Sequence, residues 1–240
     1  MFGYYFDPTY ILVLIGALLC IFASSRVNST YRKYAKVRSY SGITGAEAAR
    51  RILQMSGIND VQVQHVSGEL TDHYDPARKV LNLSDSVYGS PSVAAIGVAA
   101  HECGHALQHR DGYLPLKIRS ALVPAANIGS RLGLPIVFLG LFLGFGFELP
   151  GGAYFSLAQI GVWVFALAVL FQIVTLPVEF DASGRALEML GSYGLMNQGE
   201  VKDCKRVLSA AALTYVAAAA SSILQLLRLA LLAGGRRRDD

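Results

Sequence analysis

Charge is scarce in this sequence. Only 16% of its 240 residues are Asp, Glu, Lys or Arg while 53% are hydrophobic, a balance too apolar for an ordinary soluble domain. A disulfide framework is missing as well. Cys20, Cys103 and Cys204 are odd in number and far apart, which excludes a disulfide-built secreted scaffold and fits a reducing compartment. No basic residue precedes the first apolar run, Thr9 to Ala23, so that run is not expected to be a cleaved secretory signal. The net charge of +4 is unevenly placed: Arg26, Arg32, Lys33, Lys36 and Arg38 come directly after the run. This order reads as an uncleaved first span whose continuation is cytoplasmic, with Tyr4-Tyr5-Phe6 in the interface. Basic residues are expected wherever a span ends inside, so the expected partner of this cluster is the lipid bilayer and not nucleic acid.

Long apolar runs are what the chain has most of. Leu132 to Phe147 reads as a second span, interrupted by Pro135 and several glycines. Glu148-Leu149-Pro150-Gly151-Gly152 reads as a tight connection, and Ala153 to Leu176 as a third span. The chain then returns at Pro177 to the side it left. Val207 to Ala233 reads as a fourth span, although Arg228 inside it and Arg236-Arg237-Arg238 after it count against a crossing. A helix lying on the surface is its rival.

One segment, about residues 30–118, is polar enough to face water. Thr44-Gly45-Ala46-Glu47 has capping-box spacing and predicts a helix through Leu53 that stops at Gly57. Val61 to Val66 alternates like a half-buried strand. Lys79 to Ser84, after the turn residues Tyr74-Asp75-Pro76, predicts a second one. An edge strand can hold an extended peptide by backbone pairing, so residues 79–84 are a candidate substrate shelf. Plain support of the neighbouring helix is the competing role.

That helix is expected to start with Ser90 as N-cap and Pro91 at the first helical position, and to end at Arg110-Asp111-Gly112. It contains His101-Glu102-Cys103-Gly104-His105. Two imidazoles four residues apart share one helix face a turn apart and can reach one metal ion. Glu102 would point beside that ion, where a general base for water belongs. This is the pattern of a zincin active-site helix. The apolar run Val93 to Ala100 buries it, and two His and a Glu buried without a metal or partners are costly. His65 and His73 have no ligand spacing and are expected to be structural or exposed.

A zinc site needs a third protein ligand. Glu179, in the segment that begins at Pro177 on the same membrane side, is the candidate, giving a His-His-Glu set with one position left for water. An ion pair with Arg185 is its competing role. His109 continues the stripe of His101 and His105, but the outer two would be about 12 Å apart along an unbroken helix. Asp181 either fixes a ligand imidazole or faces solvent. Tyr215 either donates to a tetrahedral intermediate or serves packing and membrane anchoring.

With these residues in view, the chain resembles the YugP-type neutral zinc metallopeptidases, a bacterial membrane family. The likeness rests on Asp72-His73-Tyr74-Asp75-Pro76 with Lys79 to Ser84, on Val98 to Gln108, on Leu176 to Ser183 and on Ala211 to Val216. It implies Zn2+ on His101, His105 and Glu179, catalysis by Glu102, a protein or peptide substrate, and a place in the bacterial cell membrane. That family is similar to the HtpX-type membrane proteases, which carry an Asp four residues after the glutamate ligand. Ser183 stands there in this chain.

The expected fold is an α-helical membrane protein with a small α+β zincin-like catalytic domain and three to four transmembrane helices. Residues 1–25 would form the first span, 26–118 the cytoplasmic catalytic part, 119–176 two further spans, 177–206 the part with the glutamate ligand, and 207–240 the last apolar helix and basic tail. The expected activity is peptide-bond hydrolysis by a membrane-bound zinc metalloendopeptidase with its site on the cytoplasmic side. A metal-holding membrane scaffold without catalysis and a transporter are the alternatives. The first has no use for Glu102, and the second lacks an internal repeat or a polar break at midspan.

Overall fold

The computed structural model describes residues 7–148 and 154–235. Tyr4-Tyr5-Phe6, Leu149 to Gly152 and Arg236-Arg237-Arg238 lie outside the described residues. The chain opens with α1 (Tyr10–Tyr34) and α2 (Gly45–Met55), followed by β1 (Gln62–His65), β2 (His73–Asp75) and β3 (Val80–Leu83). Next come α3 (Asp85–Tyr88), α4 (Val93–Arg110) and α5 (Leu114–Leu143). A short pair, β4 (Gly146–Glu148) and β5 (Tyr154–Ser156), leads to α6 (Leu157–Ser192) and α7 (Gln198–Gly235). The helices α1, α5, α6 and α7 are each long and apolar enough to cross a membrane. Together with one small three-stranded sheet, they make this an α-helical membrane protein with a small α+β part. Its contacts divide the described chain into one unit of residues 7–22, 118–175 and 215–235 and another of 23–117 and 176–214.

The first unit is built from apolar helices that touch through small residues. A Cβ on Gly140 of α5 would meet the Ala158 nitrogen of α6 at 2.2 Å, and one on Gly133 would meet Phe165 at 2.7 Å. Gly161 of α6 returns the contact against Val137. The glycines that read as interruptions are therefore a packing face. Helix α5 runs without a break through Pro124 and Pro135, which membrane helices tolerate where neighbours and local adjustment satisfy the freed carbonyls. Gly16 of α1 packs on Ser221 of α7 in the same way. Arg228 is only 5% exposed. Its Nη2 donates to Asp7 Oδ2 at 3.0 Å and its guanidinium lies 4.0 Å from the Tyr10 ring centroid. The charge that argued against a fourth span is thus neutralised inside the protein, the usual condition for a cation at membrane depth.

In the second unit the capping box forms as expected: Thr44 Oγ1 accepts from the Glu47 N–H, and Glu47 Oε2 from the Thr44 N–H at 2.8 Å. The left-handed Gly57 (φ +70°) ends that turn. Ala46, Ala49, Ile52 and Leu53 of α2 share a core with Ile96, Ala99, Ala100 and Cys103 of α4, closed by Met189 and Leu190 of α6 and Leu208 of α7. The sheet order is β1-β3-β2, with β1 parallel to β3 (Gln62 opposite Val80) and β2 antiparallel to it (Tyr74 opposite Leu81).

Two local expectations change here. Residues 80–83 cannot serve as a substrate shelf, because β3 is the central strand, bonded on both sides with all four residues buried. The missed partner is β2. Asp75 Oδ1 accepts the N–H groups of Ala77 and Arg78, so the turn chemistry belongs to a hairpin whose first arm was read as part of the turn. Helix α4 is capped by Ser92, whose Oγ accepts from the Ala95 N–H at 3.2 Å, and not by Ser90. Pro91 is held outside the helix because its carbonyl accepts from Ser39 at 2.8 Å, next to the bridge between Arg38 and Ser92.

Candidate metal centre

The site is built on two helices that approach at a glycine. A Cβ on Gly104 of α4 would lie 2.4 Å from the Ala182 carbonyl oxygen of α6, so only hydrogen at that position permits the contact. His101 and His105 lie three residues before and one after Gly104. Glu179 lies three residues, or about one turn, before Ala182. Helix α6 passes through Pro177 without a break, so Glu179 is carried on a continuous helix and not on a segment that starts anew.

His101, His105 and Glu179 offer ligand atoms that all lie within 4.8 Å of one another. Glu179 Oε2 is 3.3 Å from His101 Nε2 and 3.6 Å from His105 Nε2. Tetrahedral ligands about 2.1 Å from one ion sit roughly 3.4 Å from each other, so the two distances from Glu179 match those of a small divalent cation's ligands. The two imidazole rings stand edge to face, 4.8 Å between centroids. Glu179 is 2% exposed, and the two imidazoles are largely covered.

The electrostatics of the three groups are mutually adjusted. Burial acts to lower His105, but the Glu179 carboxylate, with the Glu102 charge and Gln108 adding to it, brings it above the ordinary histidine value. Burial acts to raise Glu179, and the two imidazoles overcome it, holding the carboxyl well below the usual carboxylate range. Glu179 is therefore an anion, the form a cation requires.

Each imidazole is also held from behind. His101 Nδ1 lies 3.1 Å from Ser183 Oγ, and His105 Nδ1 3.0 Å from Gln108 Oε1. Both contacts leave Nε2 turned toward Glu179. From sequence, Ser183 stands out only as a departure from the HtpX-type pattern, and neither it nor Gln108 is assigned a role. The signals existed: Ser183 occupies the position where HtpX-type chains carry an Asp, and Gln108 is an amide three residues after His105, about one helical turn on. The hydrogen bonds of Asp181 go to neither imidazole. It accepts from Gln108 and, at 2.6 Å, from Arg185 Nε.

Glu102 is 8% exposed and lies between the two histidines on α4. Cys103, its neighbour, faces the core with its thiol pushed well above the ordinary value by burial, which removes it as a nucleophile. His109 is outside the convergent set and its Nδ1 pairs with the Tyr74 hydroxyl at 2.9 Å. His65 pairs with Asp85, and His73 with the Thr71 carbonyl and Asn82. Tyr215 belongs to the other unit.

Residues 9–234 match the family described as "Putative neutral zinc metallopeptidase". The chain is 46% identical over 224 residues to a Bacillus subtilis (strain 168) protein named "Putative membrane protease YugP", covering 93% of this chain and 96% of that one. No solved structure matches it.

Proposed function

This chain belongs to the neutral zinc metallopeptidase family, and on that premise we propose that it is a membrane-bound endopeptidase with zinc on His101, His105 and Glu179 and Glu102 as general base. The convergence of two imidazoles and one carboxylate from two separate helices carries this reading. Zinc held there supplies a Lewis acid for the scissile carbonyl and lowers the pKa of water toward ~7. Glu102 takes the proton of the attacking water and delivers it to the leaving amine. Its burial beside the histidines keeps its carboxylate out of bulk water, where a base is most effective at a fixed distance. His101 and His105, held by Ser183 and Gln108, need little reorganisation on binding the ion.

The test is cleavage of an unfolded protein by the purified chain in detergent. Hydrolysis that a zinc chelator abolishes and added zinc restores is the expected result. A non-catalytic scaffold or a transporter would hold zinc and leave the substrate whole, and that outcome would replace the proposal.

We place the site on the cytoplasmic side, on the strength of the basic residues that follow the first span. Gln62 is exposed on β1 and serves as a reporter. A Gln62→Cys variant in intact bacteria is expected to resist a membrane-impermeant maleimide until the cells are permeabilised. Labelling of intact cells above the parent background would move the site to the outer face.

A further inference from the structure

We infer that Gln108 is a positioning residue that fixes the His105 imidazole with its proton on Nδ1, and that Asp181 and Arg185 hold Gln108 in the orientation this requires. The inference rests on the reading of His105 as a zinc ligand. It gives Asp181 a role that acts through another side chain.

The argument begins with the two ends of one amide. Gln108 is fully buried on α4. Its Nε2 donates to the Val178 carbonyl at 2.7 Å and to Asp181 Oδ2 at 2.8 Å, which uses both of its hydrogens. Turning the amide over would set an oxygen against a carbonyl and a carboxyl oxygen with no hydrogen between them. The network itself therefore decides the orientation. Oε1 then faces His105 Nδ1 at 3.0 Å. An amide oxygen only accepts, so Nδ1 must carry hydrogen. In the neutral ring the lone pair is left on Nε2, the atom 3.6 Å from Glu179 Oε2.

Asp181 is itself fixed. Arg185 Nε donates to the same Oδ2 at 2.6 Å, and Arg185 Nη1 donates to Asp111 Oδ2, also at 2.6 Å, at the C-cap of α4. The path leaves α4 at Gln108, passes along one turn of α6, and returns to the end of α4. His101 has no such constraint. Its partner, Ser183 Oγ, can donate or accept, so the contact orients the ring without selecting a tautomer. The two histidines of the motif are therefore not equivalent: one is locked by chemistry and the other only placed.

The experiment compares Gln108→Leu, Asp181→Ala, Ser183→Ala and His105→Ala in the full chain purified in detergent. Zinc affinity is measured by competition with a chromophoric chelator, and the protected imidazole Nδ1–H signal of His105 by 15N NMR of the zinc-loaded protein. Gln108→Leu is expected to weaken zinc binding by about 10–100-fold and to lose that signal. Asp181→Ala should move both readouts in the same direction by less, and Ser183→Ala should leave the His105 signal in place. Asp181 is partly exposed, so its variant carries the test if Gln108→Leu does not fold. If His105→Ala loses zinc while Gln108→Leu and Asp181→Ala keep parental affinity and the signal, the lock is overturned and the zinc reading stands. If His105→Ala itself keeps parental zinc, the reading beneath the lock has failed.

Discussion

Glu102→Gln is expected to retain its zinc and to lose hydrolysis by about 10²–10⁴-fold, the usual cost of removing a general base. The exchange conserves size and shape and swaps one carboxylate oxygen for an NH₂ group. It fits the buried position, where Glu102 is 8% exposed, without a cavity. The three atoms that converge for a metal belong to His101, His105 and Glu179, so metal content should stay near the parent level. An amide cannot accept the proton of the attacking water, so the turnover number should fall much more than substrate affinity changes. Zinc analysis and turnover on an unfolded protein, measured on the same preparation, check the result. A zinc-loaded variant that cleaves at the parental rate would remove Glu102 from the mechanism.

Glu179→Ala should lower zinc affinity by more than about 100-fold, exceeding the effect expected for the partners behind the ligands, while His109→Ala leaves metal content unchanged. Helix α4 continues through Arg110, so His101 and His109 stay separated by about 12 Å of helical rise and cannot share one ion. His109 instead meets the Tyr74 hydroxyl. Glu179 comes from another helix and so approaches from a direction that α4 cannot offer. Its oxygen lies 3.3 and 3.6 Å from the two Nε2 atoms. Removing it leaves only two imidazoles of the three converging groups. Metal analysis of the two purified variants decides the matter, and loss of zinc from His109→Ala with retention in Glu179→Ala would reverse the assignment.

Much of this was readable because it depends on short-range spacing. The i, i+4 histidines share a helix face whatever the helix packs against, and the Thr44 to Glu47 box is a local exchange of hydrogen bonds. The apolar runs are equally local, since the length needed to cross a bilayer is a property of the run itself. The misread parts depend on partners distant in sequence. Pro91 looked like a first helical residue until Ser39 claimed its carbonyl, and β3 looked like an edge until β2 and β1 paired on either side of it. Arg228 looked misplaced in an apolar helix because its partner, Asp7, is more than two hundred residues earlier in the chain.

The sequence by itself determined that this is a membrane protein, that one helix carries two histidines and a glutamate at metal-site spacing, and that Glu179 is a candidate for the missing ligand. Only the tertiary structure decided that Glu179 reaches both imidazoles, that Gln108 and Ser183 stand behind them, and that Asp181 meets Gln108 and not an imidazole. The physical reason is that a helical period fixes which side chains share a face but not how closely two helices approach. Here that distance is set at one point, where Gly104 has no Cβ to hold the Ala182 backbone away.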